Sequence, residues 1–346
     1  MRQLRVGRDE PILDPGMPII DAHHHLFDRP NLRYMLDDYL ADTQAGHRIV
    51  ASVYVETLAF AWPDGPEVMR PIGEVEFANG AGAIADSGRY GDARLCAAIV
   101  GYADMRHGDA IAGLLDRCAE TAPDRFRGVR QITMEYADER PYPHFPKRPP
   151  NGVMEHPEFR RAFAHLAPRG LIFDAAVFDP QLRKIADLAD AFPDTTITLN
   201  HMGVAMGVGM SPAERGELFQ RWRAALGDLA RRRNVHCKVG GLGMPFWGLG
   251  LDTRDDPIGF AELAEVWRPY VETAIEAFGT DRCMFESNYP VDGRSAGYVP
   301  LWNAFKHIAS GLSADEKADL FHRTAARVHG IDLATLGIDA ATQPAS

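Results

Sequence analysis

Short apolar runs rich in valine, isoleucine and phenylalanine recur along the chain and alternate with longer amphipathic segments. Runs that are apolar at successive positions are typical of strands buried on both faces, as in a parallel sheet. We predict eight such strands, at residues 18–26, 49–57, 95–104, 126–134, 171–178, 195–202, 234–242 and 282–290.

The segments between these runs predict helices, because their apolar residues recur at helical spacing. Examples are residues 109–121, 157–166, 180–192 and 261–278. Ser313, followed three residues later by Glu316, forms a capping box and predicts the start of the last helix.

Eight strand-then-helix units with no break in composition predict one α/β domain over residues 1–346, with a core at about 18–330. The predicted fold is a single (β/α)8 TIM barrel with long loops at its catalytic face. A doubly wound sheet is the alternative. That fold typically opens with a glycine-rich turn after the first strand, and no such turn is present here.

Charge and composition narrow the classes of partner. The 346 residues include 48 acidic and 37 basic ones, a formal net charge of −11, and the one basic tract is Arg231-Arg232-Arg233. We therefore expect a small-molecule substrate and neither nucleic acid nor a membrane as partner, and we leave a homo-oligomer open.

The cysteines and the N-terminal segment bear on location. The four cysteines are scattered and form no Cys-x-x-Cys pair, which indicates buried thiols in a reducing compartment. No run approaches the roughly 20 apolar residues of a transmembrane helix. Charges occupy the N-terminal positions where a signal peptide needs an apolar stretch. We expect a cytoplasmic protein.

The first predicted strand ends in Asp21-Ala22-His23-His24-His25. Side chains two apart in a strand face the same side, so Asp21, His23 and His25 are predicted to share one face. Two imidazoles held this close suit one metal ion better than each other, because protonating both would place like charges together. A solvated pair of histidines is the alternative.

The barrel prediction places chemistry at the carboxyl ends of the strands and in the loops after them. Polar side chains fall at those ends in six of the eight predicted strands. They are His23 and His25, Glu56, Arg130 and Gln131, Asn200 and His201, Lys238, and Glu286 with Asn288. This convergence indicates one shared site.

Four of these strand ends carry recognisable motifs, namely DAHHH, RGVR, NHMG and CMFESNYPVD. Together they resemble the amidohydrolase superfamily, and most of all its amidohydrolase-2 branch of metal-dependent hydrolases. That branch includes sugar lactonases and dicarboxylate lactone hydrolases, and related members are non-oxidative decarboxylases. The resemblance spans all eight strands in order and implies a TIM-barrel hydrolase of lactonase or amidohydrolase type.

The resemblance implies that His23, His25 and His201 bind a divalent metal, with zinc the first choice. Three protein ligands with one position left for water is the pattern of catalytic zinc sites. Such an ion lowers the pKa of its bound water towards about 7. The alternative for His201 is a core histidine bonded to backbone.

The eighth strand departs from the family pattern, which usually has Gly, then Ser, then an aspartate that serves as metal ligand or base. This chain has Glu286, Ser287 and Asn288. An amide cannot accept a proton as a base. Glu286 shares a side with Asn288 and lies about 6.6 Å lower in the barrel. We predict that Glu286 is the base and that Asn288 donates to the substrate.

Three alternatives to this prediction remain. Glu56 or Asp292 could be the base, or Glu286 could be an interior ion-pair partner of Lys238 or Arg130.

Arg130 resembles the strand-four arginine that anchors a substrate carboxylate or polarises a carbonyl, since a guanidinium does this with two parallel hydrogen bonds. Lys238 could do similar work for an oxyanion. A structural ion pair is the alternative for Arg130.

Two long loops, at residues 140–150 and 243–250, follow the fourth and seventh predicted strands. Loops over a barrel mouth often act as lids, so we predict that Phe246 and Trp247 contact the substrate. A dimer contact is the alternative for this apolar patch.

The leading functional prediction is hydrolysis of a lactone-type cyclic ester, or a related cyclic amide, by metal-activated water. The alternative on the same barrel is non-oxidative decarboxylation of an aromatic or enol-type carboxylate. A non-catalytic binding protein is a third hypothesis, which three retained histidines argue against.

Overall fold

A computed structural model of the protein describes residues 4, 7–29 and 32–338. The domain predicted over residues 1–346 extends beyond these ranges, and its remaining positions lie outside the described residues. Within the described ranges the strands are β1 (Pro18–His24), β2 (Phe27–Arg29), β3 (Leu32–Tyr34), β4 (Arg48–Val55), β5 (Arg94–Tyr102), β6 (Phe126–Ile132), β7 (Ile172–Ala176), β8 (Ile197–Leu199), β9 (Val235–Val239) and β10 (Cys283–Phe285).

The α-helices of the same part of the chain lie mostly between these strands. They are α1 (Leu36–Thr43), α2 (Ile72–Ala85), α3 (Ile111–Thr121), α4 (Phe159–Phe163), α5 (Leu182–Ala191), α6 (Pro212–Leu229), α7 (Phe260–Phe278), α8 (Tyr298–Ile308), α9 (Ala314–Ala318) and α10 (Thr324–His329). None of the described helices combines the length and apolar character needed to cross a membrane.

Eight of the strands form one parallel sheet in the order β1-β4-β5-β6-β7-β8-β9-β10, and β2 and β3 form a separate antiparallel pair. The sheet closes on itself after β10, where His24 bridges Tyr289 in parallel. The His25 amide donates to the Tyr289 carbonyl at 2.7 Å, and the Asn288 amide donates to the His23 carbonyl at 2.9 Å. The predicted (β/α)8 barrel is therefore confirmed.

Helices pack against the outside of the barrel through one apolar face. In α3 the buried residues Ile111, Leu114, Leu115 and Cys118 follow the spacing of a single helix face. The predicted capping box begins α9, where Ser313 Oγ accepts from the Glu316 amide.

The end of the barrel where the strands begin is closed by α10. Its Ala325 and Ala326 share a buried apolar cluster with Ile20, Ala22 and Ala51. With that end filled by apolar side chains, the opposite end remains for chemistry.

An irregularity in β1 changes which side chains face the interior. The pairing of β1 with β4 shifts register between Asp21 and His24. Asp21 accepts hydrogen bonds from Ser287 Oγ at 2.6 Å and Tyr39 Oη at 2.9 Å. The prediction that Asp21 shares a face with His23 and His25 is wrong, because the irregularity breaks the two-residue alternation.

Candidate active site

The end of β1 brings two imidazoles together. His23 Nε2 and His25 Nε2 lie 3.1 Å apart, and His25 Nδ1 lies 2.7 Å from the Val55 carbonyl. A carbonyl only accepts, so Nδ1 of His25 carries the proton and its Nε2 holds a lone pair. Burial holds the pKa of both histidines well below the usual range, and nearby positive charges lower it further. Both rings are therefore neutral at pH 7.

His24 faces the opposite way. Its ring stacks on Tyr39 at 4.0 Å between centroids and lies 5.8 Å from the Tyr54 ring. His24 therefore lies outside the cluster of His23 and His25.

Glu286 lies against His201 and His23. Its Oε1 is 2.6 Å from His201 Nδ1 and its Oε2 is 3.0 Å from His23 Nδ1. The first contact is a hydrogen bond. The contact with His23 is within ion-pair distance, but its geometry does not meet the angle of a hydrogen bond. His23 Nδ1 and Glu286 Oε2 are therefore both buried without a hydrogen bond. Glu286 thus pairs with histidines and not with Lys238 or Arg130.

The structure assembles a group of three possible metal ligands that differs from the predicted set. His23, His201 and Glu286 offer ligand atoms within 4.8 Å of one another, and all three are buried. His25 is not a member of this group, although it contacts His23. The predicted pairs His23–His25 and His23–His201 are adjacent, each with ring centroids 4.7 Å apart.

The nitrogen and oxygen atoms that these side chains offer suit a divalent cation. Two nitrogens bound to one zinc ion at tetrahedral angles lie roughly 3.3 Å apart. The 3.1 Å between the Nε2 atoms of His23 and His25 is close to that value. If His23 Nδ1 donates to Glu286, both Nε2 atoms direct lone pairs at each other, and a cation would relieve that contact. His23 and His25 would hold the ion, with His201 or Glu286 beside them.

Two residues of the site adopt left-handed backbone conformations. His201 has a φ of 52° and Asn288 a φ of 50°. Such conformations cost about 1–3 kcal/mol in residues other than glycine and tend to cluster at functional sites. His201 lies in a short turn over Asn200–Met202, so the predicted strand over 195–202 is shorter than expected.

Arg130, in β6, is held by Glu56. Its Nε donates to Glu56 Oε1 at 2.8 Å and its Nη2 donates to the Glu56 carbonyl at 2.7 Å. The remaining nitrogen, Nη1, lies 3.3 Å from His23 Nε2. Burial raises the pKa of Glu56, and the Arg130 guanidinium opposes that shift. Arg130 therefore forms a structural pair with Glu56 through two of its nitrogens, and its third nitrogen faces the histidines.

Asn288 is held by Asp292. Its Nδ2 donates to Asp292 Oδ1 at 2.8 Å, and the Gly243 amide donates to Asp292 Oδ2 at 2.8 Å. Burial raises the pKa of Asp292 to about 8. One of the two hydrogens on the amide nitrogen is therefore engaged, and the predicted donation of the other to a substrate stays a prediction.

Lys238 is paired inside the barrel. Its Nζ donates to Asp174 Oδ2 at 2.6 Å, and both side chains are fully buried. Thr198 and Asn200 donate to the same carboxylate. The predicted role of Lys238 at an oxyanion remains a prediction, and in this structure its charge is compensated by Asp174.

The two aromatic residues of the 243–250 loop face different partners. The Phe246 ring packs on Phe145 of the 140–150 loop at 4.7 Å between centroids. Trp247 is 1 % exposed. It lies 5.0 Å from the Tyr270 ring and donates from Nε1 to the Gly241 carbonyl. Phe246 therefore joins the two loops, and Trp247 packs against α7.

Sequence reasoning missed four residues that contribute to the site. Asp174 had a signal, since it is a lone carboxylate within an apolar run. Gly240 and Gly241 stand directly after β9, and added Cβ atoms would meet Glu286 and His201. The Val55 carbonyl had no signal, because a backbone acceptor is invisible in side-chain patterns.

Comparison with known sequences gives matches over most of the chain. A family model described as amidohydrolase matches residues 20–331. The uncharacterized protein y4mH of Sinorhizobium fredii (strain NBRC 101917 / NGR234) is 34 % identical over 336 residues, covering 90 % of this chain and 98 % of that protein. The L-fucono-1,5-lactonase of Burkholderia multivorans (strain ATCC 17616 / 249) is 28 % identical over 325 residues, covering 90 % and 96 %.

Comparison with solved structures gives the same picture. The crystal structure of an amidohydrolase from Burkholderia multivorans with bound zinc superposes with a TM-score of 0.70 at 25 % identity. The superposition covers 91 % of this chain and 99 % of that one.

Proposed function

Because the chain belongs to the amidohydrolase family, whose model matches residues 20–331, we propose that it is a metal-dependent hydrolase that opens a lactone-type cyclic ester. Membership confirms the resemblance carried by the four strand-end motifs, and with it an enzyme of hydrolase type. The substrate and the metal belong to the proposal.

The observation that carries the proposal is the approach of two neutral imidazoles at the end of β1. The Nε2 atoms of His23 and His25 are 3.1 Å apart, next to the Nη1 of Arg130. A divalent ion held there would polarise a carbonyl and lower the pKa of water towards about 7. The zinc-bound structural relative supports zinc as the ion to test first.

The chain's own residues would supply orientation and charge. Glu56 fixes Arg130 through two hydrogen bonds, so that Nη1 is directed at the cluster. A guanidinium N–H in that position can stabilise the negative charge that develops on an ester carbonyl oxygen during attack.

We propose the substrate class from the relatives of this chain. The L-fucono-1,5-lactonase relative acts, by its name, on the lactone of a sugar acid. We take sugar-acid lactones as the first class to test, followed by other cyclic esters and cyclic amides. Decarboxylation of an aromatic or enol-type carboxylate remains the alternative from sequence, and relatives of that type share only the fold.

The test incubates the zinc-loaded protein with a panel of lactones and follows acid release. A parallel arm incubates it with hydroxylated aromatic carboxylates and follows carbon dioxide. We expect acid release, abolished by a chelator and restored by added metal. Carbon dioxide without acid release would replace the lactonase proposal by the decarboxylase alternative.

A matched pair of variants ties the activity to the site. His25→Phe and His24→Phe place the same ring at neighbouring positions at the end of β1. We expect His25→Phe to lose activity by at least about 10², the lower range for a lost catalytic group. His24→Phe should retain it, because His24 stacks on Tyr39 outside the cluster. Equal activity of both variants would contradict the proposed centre.

A further inference from the structure

Glu286 lies fully buried between two histidines that come from different strands. Its two carboxylate oxygens face Nδ1 of His201 at 2.6 Å and Nδ1 of His23 at 3.0 Å. The side chain of Glu286, directly after β10, therefore contacts both the end of β1 and the turn after β8. The carboxylate uses one oxygen for each ring.

The contacts fix which ring nitrogen carries the proton. In a neutral imidazole that faces an ionised carboxylate, which only accepts, the facing Nδ1 is the protonated nitrogen and Nε2 keeps the lone pair. His25 follows the same pattern, because its Nδ1 faces the Val55 carbonyl at 2.7 Å. All three histidines thus have an acceptor at Nδ1.

The His23 contact is the weaker of the two. His23 Nδ1 and Glu286 Oε2 are both buried and lack a hydrogen bond of good angle within the described residues. Unpaired buried polar atoms are costly, and these two face each other at 3.0 Å. A cation bound at Nε2 of His23 would withdraw electron density from the ring and so strengthen donation from Nδ1 to Glu286.

Two glycines leave room for this arrangement. A Cβ on Gly240 would lie 2.4 Å from Glu286 Cγ, and a Cβ on Gly241 would lie 2.5 Å from His201 Nδ1. Real Cβ atoms do not approach that closely, so side chains at both positions would displace the carboxylate and the ring. The Gly-Gly after β9 is an independent sign that the Glu286–His201 pair is a built feature.

We propose that Glu286 is a positioning residue that holds His23 and His201 with the proton on Nδ1, so that both present Nε2 to a divalent ion. The inference rests on the proposed metal site. The sequence predicts that Glu286 transfers protons. The inference instead gives its carboxylate the task of positioning the two histidines. A carboxylate behind a metal-binding histidine fixes the tautomer and orientation of the ring.

The test is Glu286→Gln in the full chain. A glutamine has one accepting oxygen and one donating nitrogen, so it can serve only one of the two imidazoles in the same way. The other ring must turn or move its proton to Nε2. We expect zinc affinity, measured by competition with a chromophoric chelator, to fall roughly 10- to 100-fold with the stoichiometry unchanged.

Glu74→Gln is the matched control. Glu74 is also a buried glutamate, but its oxygens accept from Tyr54, Thr57 and Leu58 and not from a histidine. It should leave zinc affinity unchanged. An unchanged affinity in Glu286→Gln, or a complete loss of zinc binding at millimolar metal, would overturn the inference, the latter because it would make Glu286 a ligand.

A second measurement does not depend on a variant or on activity. Nitrogen-15 NMR of the histidine rings in the metal-free wild-type protein reports the tautomer of each ring. We expect His23 and His201 to be protonated on Nδ1. Protonation on Nε2 would overturn the inference even if the enzyme binds zinc. Failure to bind any metal, with the Nδ1 tautomers observed, would instead count against the proposed function alone.

Discussion

Arg130 divides its guanidinium between two tasks. Two nitrogens are bonded to the carboxylate and carbonyl of Glu56, and the third lies 3.3 Å from His23 Nε2. The side chain is 5 % exposed, so water offers little competition for these contacts. The sequence pointed to a buried ion pair or to a substrate contact as alternatives, and the geometry allows one residue to do both.

Arg130→Lys separates these tasks. Lysine keeps the charge beside Glu56 but has no planar fork, so it cannot hold both Glu56 oxygens and still direct an N–H at the cluster. With the substrate found in the lactone panel, we expect kcat/KM to fall by about 10² to 10³, the usual worth of one donor at a developing oxyanion. Steady-state kinetics and a thermal melt are the measurements.

Arg125→Lys serves as its control, because Arg125 bonds Asn79 and Asp86 on α2's side of the barrel. It should affect melting temperature alone. If Arg130→Lys lowers the melting temperature and leaves the kinetics unchanged, Arg130 is structural only.

At the scale of elements, two loops depend on each other. Phe246, in the 243–250 loop, packs on Phe145 at 4.7 Å and on Phe178 at 5.4 Å between ring centroids. Asp292 anchors the start of the same loop through the Gly243 amide. The loop after β9 is thus tied to the end of β10 on one side and to the 140–150 loop on the other.

Phe246→Ala should loosen both loops together. An aromatic pair contributes about 0.5–1.5 kcal/mol beyond burial, so its loss should raise amide exchange in both loops roughly 2- to 10-fold. Hydrogen exchange followed by mass spectrometry measures this. Phe77→Ala, which removes a ring stacked on Phe60, should leave both loops unchanged. Faster exchange confined to the 243–250 loop would show that the loops are independent.

Periodicity predicts elements better than it predicts their irregularities. The eight strands and their order follow from apolar runs, and the polar strand ends follow from the barrel. The register shift in β1, which turns Asp21 towards Ser287 and Tyr39, has no sequence signal, since the sequence shows an unbroken run through residues 18–26. The partner of Lys238 could not be predicted either, because Asp174 is 64 residues away in the sequence and the two meet only when β7 and β9 flank β8.

At the scale of the whole molecule, two uncharged histidines that lie far apart in the sequence are both fully buried. His24 lies on β1 and His329 at the end of α10, both 0 % exposed. Burial lowers the pKa of each from 6.5 to about 3. Neither belongs to the proposed metal set, so both bear on stability and not on the chemistry of the site.

These two histidines predict a loss of stability in acid. Below pH 6.5 the unfolded chain binds a proton at each position and the folded protein does not, so stability falls as pH falls, until the folded pKa of about 3 is reached. Each histidine should remove about 2 kcal/mol of unfolding free energy between pH 7 and pH 5.

His24→Phe keeps a ring against Tyr39 and removes one of these titrations. Urea unfolding of the chelated protein at pH 7 and pH 5 should therefore show a fall in stability about 2 kcal/mol smaller in the variant than in the wild type. A His24→Phe protein that loses as much stability as the wild type would mean that His24 is protonated in the folded state by pH 5, which its place in the barrel wall argues against.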